Sequence, residues 1–326
     1  MRYFVTGATG FIGGNLVREL IRRGHQVSAV VRTPAKADDL KALGVEIYQG
    51  DITERASLVE PMRGADGVFH VAAWYKIGAK DGHMAADINV GGTRNVLEVM
   101  RDLGIPKGVY TSTLAVYSNT NGRAVDESYV FTGTHLSNYD RTKADAHYQV
   151  ALPMMQAGLP LVIVQPGLVY GKDDPSAVGK SVHSYLRRQL PVLPQQSAHA
   201  WAHVDDVVEG HILAMERGKV GESYNICGEI MRLTDAFKLA EHITGIPAPM
   251  LTAPPVLFKL MSVLAKPFDA FLPEAYTSEG LRIVAGVTYI GSNAKAKREL
   301  GYKPRPVATI LRDVLPYEMQ KLGIKS

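Results

Sequence analysis

The sequence predicts an α/β fold, a doubly wound parallel sheet with a smaller, interleaved substrate-binding lobe. Three observations predict it. Short β-branched runs alternate with longer helical patterns through roughly the first half of the chain, the strand–helix order such sheets require. Runs such as Val27-Ser28-Ala29-Val30-Val31 show too little alternation for a half-exposed sheet, so helices should cover both faces. A glycine-rich turn, Thr6-Gly7-Ala8-Thr9-Gly10-Phe11-Ile12-Gly13-Gly14, joins the first strand to the first helix.

In chain order, residues 3–6 read as a strand and 13–23 as a helix that ends at Gly24. Residues 26–31 are the next strand, followed by a helix over 37–43 that stops at Gly44. Further strands fall at 45–48, 67–71 and 108–113, with a long helix over 85–103 between the last two. A second long helix, 135–157, leads through Gly158-Leu159-Pro160 into a strand at 161–165. After Pro166 the rhythm changes. Residues 171–175 and 190–194 are loop chemistry, a strand at 222–226 returns to the main sheet, and everything from 229 onward is Pro-rich and helical. Residues 1–166, with about 201–228, thus form one domain; 167–200 and 229–326 form a lobe that closes over a ligand.

Bulk properties bound the function. A chain of 326 residues with 46% hydrophobic and 21% charged side chains can bury a sizeable core. The net charge of +4 is small and its Lys and Arg are interspersed with acids, which argues against nucleic acid. The single cysteine, Cys227, excludes an internal disulfide and a cysteine metal cluster, and fits a reducing cytoplasm. Met1-Arg2 leads straight into an apolar strand, with no secretory signal. Residues 254–272 are strongly apolar, but Lys259, Lys266, Asp269 and several prolines interrupt them too often for a bilayer span. They read as an amphipathic helix pair covering a pocket, with attachment to a membrane surface as the alternative.

The glycine turn has the context of a dinucleotide site, making the domain a Rossmann fold. Gly7 permits the tight turn, Gly10 lets backbone approach a pyrophosphate, and Gly13 allows close helix–strand packing. Amides of Thr9, Phe11 and Ile12, at the positive end of the helix dipole, then meet the phosphates. NAD enzymes place an acid about 20 residues further on for the ribose 2′-hydroxyl. Here Arg32 stands in that place, with Lys36 beyond it, and a guanidinium binds a 2′-phosphate where a carboxylate repels it. NADP(H) is therefore preferred, NAD(H) being possible. Asp51-Ile52 after the third strand could receive the adenine, and Ala72-Ala73 after the fourth could leave room for the ribose. A bland turn and a bland strand end are the other readings.

Tyr139 and Lys143 stand at i and i+4, on one helix face. The strand before that helix ends in Tyr110-Thr111-Ser112-Thr113, at the carboxyl edge where open α/β sheets bind ligands. A free tyrosine titrates at about 10, and a neighbouring ammonium favours its phenolate. Tyr139 is therefore read as the proton donor of a carbonyl reduction. Lys143 would tune it and bond the nicotinamide ribose, and Thr113 would orient the substrate oxygen, with Ser112 as alternative.

Together these residues resemble the extended short-chain dehydrogenase/reductases, within the NAD-dependent epimerase/dehydratase superfamily and nearest its dihydroflavonol-reductase-like branch. The resemblance runs almost end to end, through His70-Val71-Ala72-Ala73, Asn89-Val90-Gly91-Gly92-Thr93, Pro166-Gly167-Leu168-Val169-Tyr170-Gly171, His203-Val204-Asp205-Asp206 and Glu299-Leu300-Gly301-Tyr302. It implies a Ser or Thr, a Tyr and a Lys in the roles above, and Pro166, Gly167 and Val169 lining the nicotinamide. It also implies a homodimer through the helices at 85–103 and 135–157. The family's usual Arg-Pro is Gln165-Pro166 here.

Other candidates read as structural. Among His203, Asp205 and Asp206, Asp205 suits an N-cap for a helix over 206–215 better than a metal ligand or relay, and no metal is implied. His70 reads as a satisfied buried imidazole and Asn89 as a backbone brace. Trp74, Tyr75, His83 and Met84 either touch substrate or pack. The leading function is an NADPH-dependent reductase of a small-molecule ketone or aldehyde. The alternatives are a nucleotide-sugar epimerase or dehydratase with bound NAD and a non-enzymatic NADP-binding redox sensor, against which the Tyr/Lys pair counts.

Overall fold

The computed structural model describes residues 1–76, 82–272 and 276–324. Its centre is a parallel sheet of seven strands: β1 (Arg2–Thr6), β2 (Gln26–Val31), β3 (Glu46–Gln49), β4 (Gly67–His70), β5 (Gly108–Thr111), β6 (Leu161–Pro166) and, from much later in the chain, β10 (Ser223–Ile226). Their spatial order is β10-β6-β5-β4-β1-β2-β3. The order reverses between β1 and β4, which opens a crevice at the carboxyl edge of the sheet.

Residues alternate sides along each strand, and on the inner strands both sides are apolar. Tyr3, Val5, Ala29, Val31, Phe69, Val109, Val162 and Val164 belong to one core with the helices Phe11–Arg22 and Val204–Arg217. Phe4, Val30, Val68, Tyr110, Leu161 and Ile163 face the opposite way, against Ala56–Met62, Thr93–Asp102 and the turn Ala146–Ala151. This two-sided burial explains the near-continuous β-branched runs.

The remaining strands lie outside that sheet: β7 (Leu168–Tyr170), β8 (Val192–Pro194), β9 (Ala198–His203), β11 (Ile230–Arg232), β12 (Leu251–Ala253) and β13 (Thr288–Tyr289). β9 pairs with β7, β11 and β13, and β8 pairs with β12. Residues 190–194, read as loop, therefore contain a strand. A third core gathers Tyr170, Tyr185, Trp201 and Phe237 with the helix Val307–Lys321.

Three helices depart from expectation. The one expected over 135–157 begins at Asn138, where Ser137 accepts from the Asp140 amide, and widens into a π turn at Ala146–Ala151. The one expected over 85–103 contains a π turn at Asp87–Gly92. The third begins at Val204, not 206, so Asp205 lies inside it; the cap is the His203 imidazole, whose Nδ1 accepts from the Asp205 amide at 3.2 Å. No helix among the described residues is long and apolar enough to cross a membrane.

Candidate active site

The glycine turn forms as its spacing requires. Gly7 has φ of 74°, a left-handed conformation natural to glycine, and its carbonyl accepts from the Gly10 amide at 2.9 Å. A Cβ on Gly13 would lie 2.1 Å from the Gly7 carbonyl oxygen, so no other residue fits where the helix Phe11–Arg22 meets the turn. Gly10 caps that helix without a side chain, and no acid occupies its first turn. Such a bare, uncluttered helix start fits a pyrophosphate. The pairing of Thr6 with Val30 brings Arg32 to the same carboxyl edge, where it and Lys36 are exposed.

The Thr6 hydroxyl ties the turn to the next strand. Its oxygen accepts from the amides of Val71 and Ala72 at 3.1 Å each and faces His70 Nδ1 at 2.8 Å. Ala72 and Ala73 thereby border the turn, half-buried, and a Cβ on Gly7 would meet the Ala72 amide. Asp51 at the end of β3 directs Oδ1 to the Thr53 amide and hydroxyl, at 2.9 Å each, while buried Ile52 presses on Gly92.

Thr113 and Tyr139 are brought together. Thr113 caps the short turn Leu114–Tyr117, accepting from the Ala115 amide, and its hydroxyl is a hydrogen-bond neighbour of the Tyr139 phenol. Ser112 turns away, to His147 Nδ1 at 2.9 Å, so of the two hydroxyls only Thr113 reaches the phenol. Burial pushes Tyr139 up to about 12; the Thr113 hydrogen bond pulls it down and the neighbouring Asp140 charge pushes it up. The expectation that Lys143 lowers this pKa is not met.

Lys143 instead lies deep beneath the sheet edge, 2% exposed. Its Nζ donates to the Thr111 carbonyl at 2.8 Å and to the Tyr110 hydroxyl at 3.2 Å, and lies 4.8 Å from the Tyr110 ring centre. Burial pushes the ammonium down to about 7. Tyr110 in turn stacks on His70, ring centres 5.4 Å apart, and His70 Nε2 lies 3.0 Å from the Thr93 hydroxyl. Desolvation, and secondarily the Lys143 charge, push His70 down to about 3. The imidazole is neutral and doubly bonded, the satisfied core histidine its setting suggested.

The family follows from this geometry and from likeness to known proteins. Residues 3–227 match the model of the NAD dependent epimerase/dehydratase family. The chain belongs to that family. A putative dihydroflavonol 4-reductase of Synechocystis is 34% identical, over 96% of this chain and 93% of its own. A 4-hydroxy-2-methyl-3-oxo-4-farnesyl-3,4-dihydroquinoline-1-oxide ketoreductase of Stigmatella aurantiaca is also 34% identical, over 94% and 92%. Among solved structures, gox2253 superposes with a TM-score of 0.85 at 30% identity, over 99% of each chain. The epimerase/dehydratase family binds nicotinamide cofactors, and its members are reductases as well as epimerases.

The family's other marks fall where the fold can use them. Pro166 ends β6, and a Cβ on Gly167 would lie 2.1 Å from the Ala200 carbonyl oxygen; Val169 follows in β7. Gln165, in place of the family's arginine, is fully buried, and its Nε2 has no hydrogen-bond partner. Thr111 spends its hydroxyl on His211 Nε2 at 2.8 Å, so toward the site it offers its carbonyl. Asn89 braces backbone as expected, accepting from the Trp74 amide and donating to the Trp74 carbonyl and to Thr142 Oγ1. Trp74 is half-buried, Tyr75 exposed, and residues 77–81 lie outside the described residues.

Two neighbours of the Tyr139–Lys143 helix face escaped the sequence. Tyr110 was visible only as one hydroxyl in a run, and nothing in that run assigns it to Lys143. Asp140 is 2% exposed, accepts from Ser137 Oγ and from Tyr289 Oη at 2.8 Å each, and burial raises it to about 6. The Ser-x-x-Asp spacing of Ser137 and Asp140 was its signal, a helix capping pattern.

Proposed function

We propose that this chain is a cytoplasmic, NADPH-dependent reductase that transfers a hydride between nicotinamide and an apolar carbonyl or secondary alcohol. What supports the reading is the Thr113 hydroxyl as hydrogen-bond neighbour of the Tyr139 phenol at the carboxyl edge of the sheet. When bound, the nicotinamide supplies the hydride. Tyr139 donates the proton to the substrate oxygen, and Thr113 holds that oxygen in the plane of transfer. Lys143, in its ammonium form, places a positive charge one helical turn away and bonds the nicotinamide ribose. Gly7, Thr9, Gly10, Phe11, Ile12 and Gly13 cradle the pyrophosphate, Asp51 and Ile52 border the adenine, and Ala72, Ala73, Thr111, Pro166, Gly167 and Val169 shape the ribose and nicotinamide pocket. Exposed Arg32 and Lys36 support a 2′-phosphate partner. The farnesyl-bearing ketone named for one relative supports an apolar substrate. The lobe made of residues 167–200 and 229–326 closes over it, and two copies associate through the helices around Thr93–Asp102 and Asn138–Asp145.

Tyr139→Phe tests the reading. With an active carbonyl from a substrate panel, kcat/KM should fall by about 10²–10⁴-fold while NADPH affinity stays within a few-fold. Unchanged turnover in that variant would sink the mechanism. Release of NAD on denaturation, with turnover of a sugar nucleotide and no added cofactor, would assign the chain to the family's epimerases instead.

A further inference from the structure

We propose that the helix Pro255–Ala265 and the turn after it dock on the surface of an anionic lipid bilayer. As expected, the segment lines a pocket, but most of its apolar side chains also face outward. The helix buries only Phe258 and Ser262, and its apolar side chains point outward. Val256 is 69% exposed, Leu260 57%, Val263 69% and Leu264 63%; Phe268 and Phe271 continue the surface beyond the helix at 58% and 87%. At 100° per residue, Val256, Leu260, Val263 and Leu264 share an arc opposite the seated Phe258 and Ser262. A patch this large, clustered and outward-facing needs a cover.

Charge selects the cover. Lys259 and Lys266 are seven residues apart, two helical turns, so they border the arc along one edge. No acidic residue stands between 250 and 268, and Asp269 is tied to the Ser278 amide. Exposed Arg282 adds a third cation on the adjoining helix Ser278–Val284. A second copy of this face would bring lysine borders of one sign together, whereas anionic headgroups meet them with the opposite sign. Lysine stems run along apolar surface and raise their charges to the headgroup level, the pattern of helices lying in a bilayer interface. With 11 residues the helix lies in that plane and cannot span.

The same face leads inward. A cavity of about 410 Å³ opens among Met261, Leu264, Phe268, Leu272, Tyr276 and Leu281. The helix Ser278–Val284, packed on the docking helix, also grips the approach to Tyr139: Glu279 accepts from the Asn138 amide, and Arg282 Nε donates to the Leu136 carbonyl at 2.8 Å. A lipid-dissolved ligand thus meets the protein on the lobe that adjoins the Tyr139 helix.

Flotation of the full chain with vesicles tests this. The protein should float with phosphatidylcholine vesicles containing phosphatidylglycerol, weakly with phosphatidylcholine alone, and less as salt rises. Leu260→Glu with Val263→Glu, both at exposed positions outside the cavity, should weaken binding by about tenfold or more while thermal stability and reduction of a soluble carbonyl stay unchanged. Lys259→Gln with Lys266→Gln should bring anionic vesicles down to the level of phosphatidylcholine. Absence of binding to either vesicle overturns the proposal, as does equal binding by the glutamate pair. So does a wild-type dimer that the glutamate pair dissolves, since a second copy would then be the cover. Flotation needs no turnover, so a failed carbonyl screen and a failed docking surface are separate results.

Discussion

At Lys143 an ammonium held away from water survives on two oxygen partners, the Thr111 carbonyl and the Tyr110 hydroxyl. Its folded pKa, near 7, lies well below the ordinary lysine value, so its charged fraction falls as pH rises through neutrality. If the ammonium is the working form, kcat/KM should decline on the alkaline side with a midpoint near 7. Lys143→Arg keeps its charge throughout and should remove that limb, read from a kcat/KM profile between pH 6 and about 9. A limb that persists in the arginine variant would assign it to another group. Arg32 makes the second residue-scale prediction. Arg32→Glu should reduce the preference for NADPH over NADH by about 10- to 100-fold, measured as the ratio of kcat/KM values. The Tyr139–Lys143 spacing and the Thr113 hydroxyl were legible because helix periodicity and strand ends are local properties. Tyr110 was not, because its tie to Lys143 depends on which face of β5 it takes and on what packs there.

Among the elements, the glycine turn leaves least room. Gly13→Ala would force a methyl to within 2.1 Å of a backbone oxygen, which no side-chain rotation can relieve. The variant should lose at least about 1–3 kcal/mol of stability, by chemical denaturation, and bind NADPH more weakly. An alanine variant with unchanged stability and affinity would mean that the helix does not approach the turn this closely. Helix starts were partly legible. Ser137 caps as its spacing indicates, but at 203–206 an acid looked the better cap, and the imidazole took the role because the helix begins earlier than the acid. The two π turns were hidden, since one inserted residue hardly disturbs an apolar period. Both insertions matter: one carries Asn89, the other bears on the helix of Tyr139 and Lys143.

Across the whole molecule, the main sheet was readable because its inner strands are buried on both faces and the crossover helices are followed by glycine. The smaller strands were not. Strands of two or three residues, such as β7 and β13, offer too few residues for a period, and β9, Ala198-His199-Ala200-Trp201-Ala202-His203, lacks the β-branched run that marks the main sheet. The outward face of the helix Pro255–Ala265 is a related case. An apolar pattern records hydrophobicity but not direction. At this scale the association proposal predicts a dimer in sedimentation velocity at micromolar concentration; a monomer throughout would remove it.

The position of β10 has a consequence for synthesis. This strand is translated more than fifty residues after β6, the neighbour it hydrogen-bonds along Ile163–Pro166. Until the ribosome has extruded residue 226, β6 presents its backbone to solvent as an open edge. A chain ending ahead of Ser223 would therefore keep the glycine turn and the Tyr139 helix yet aggregate. The growing polypeptide is most in need of a chaperone during that interval, between the synthesis of Pro166 and that of Ile226.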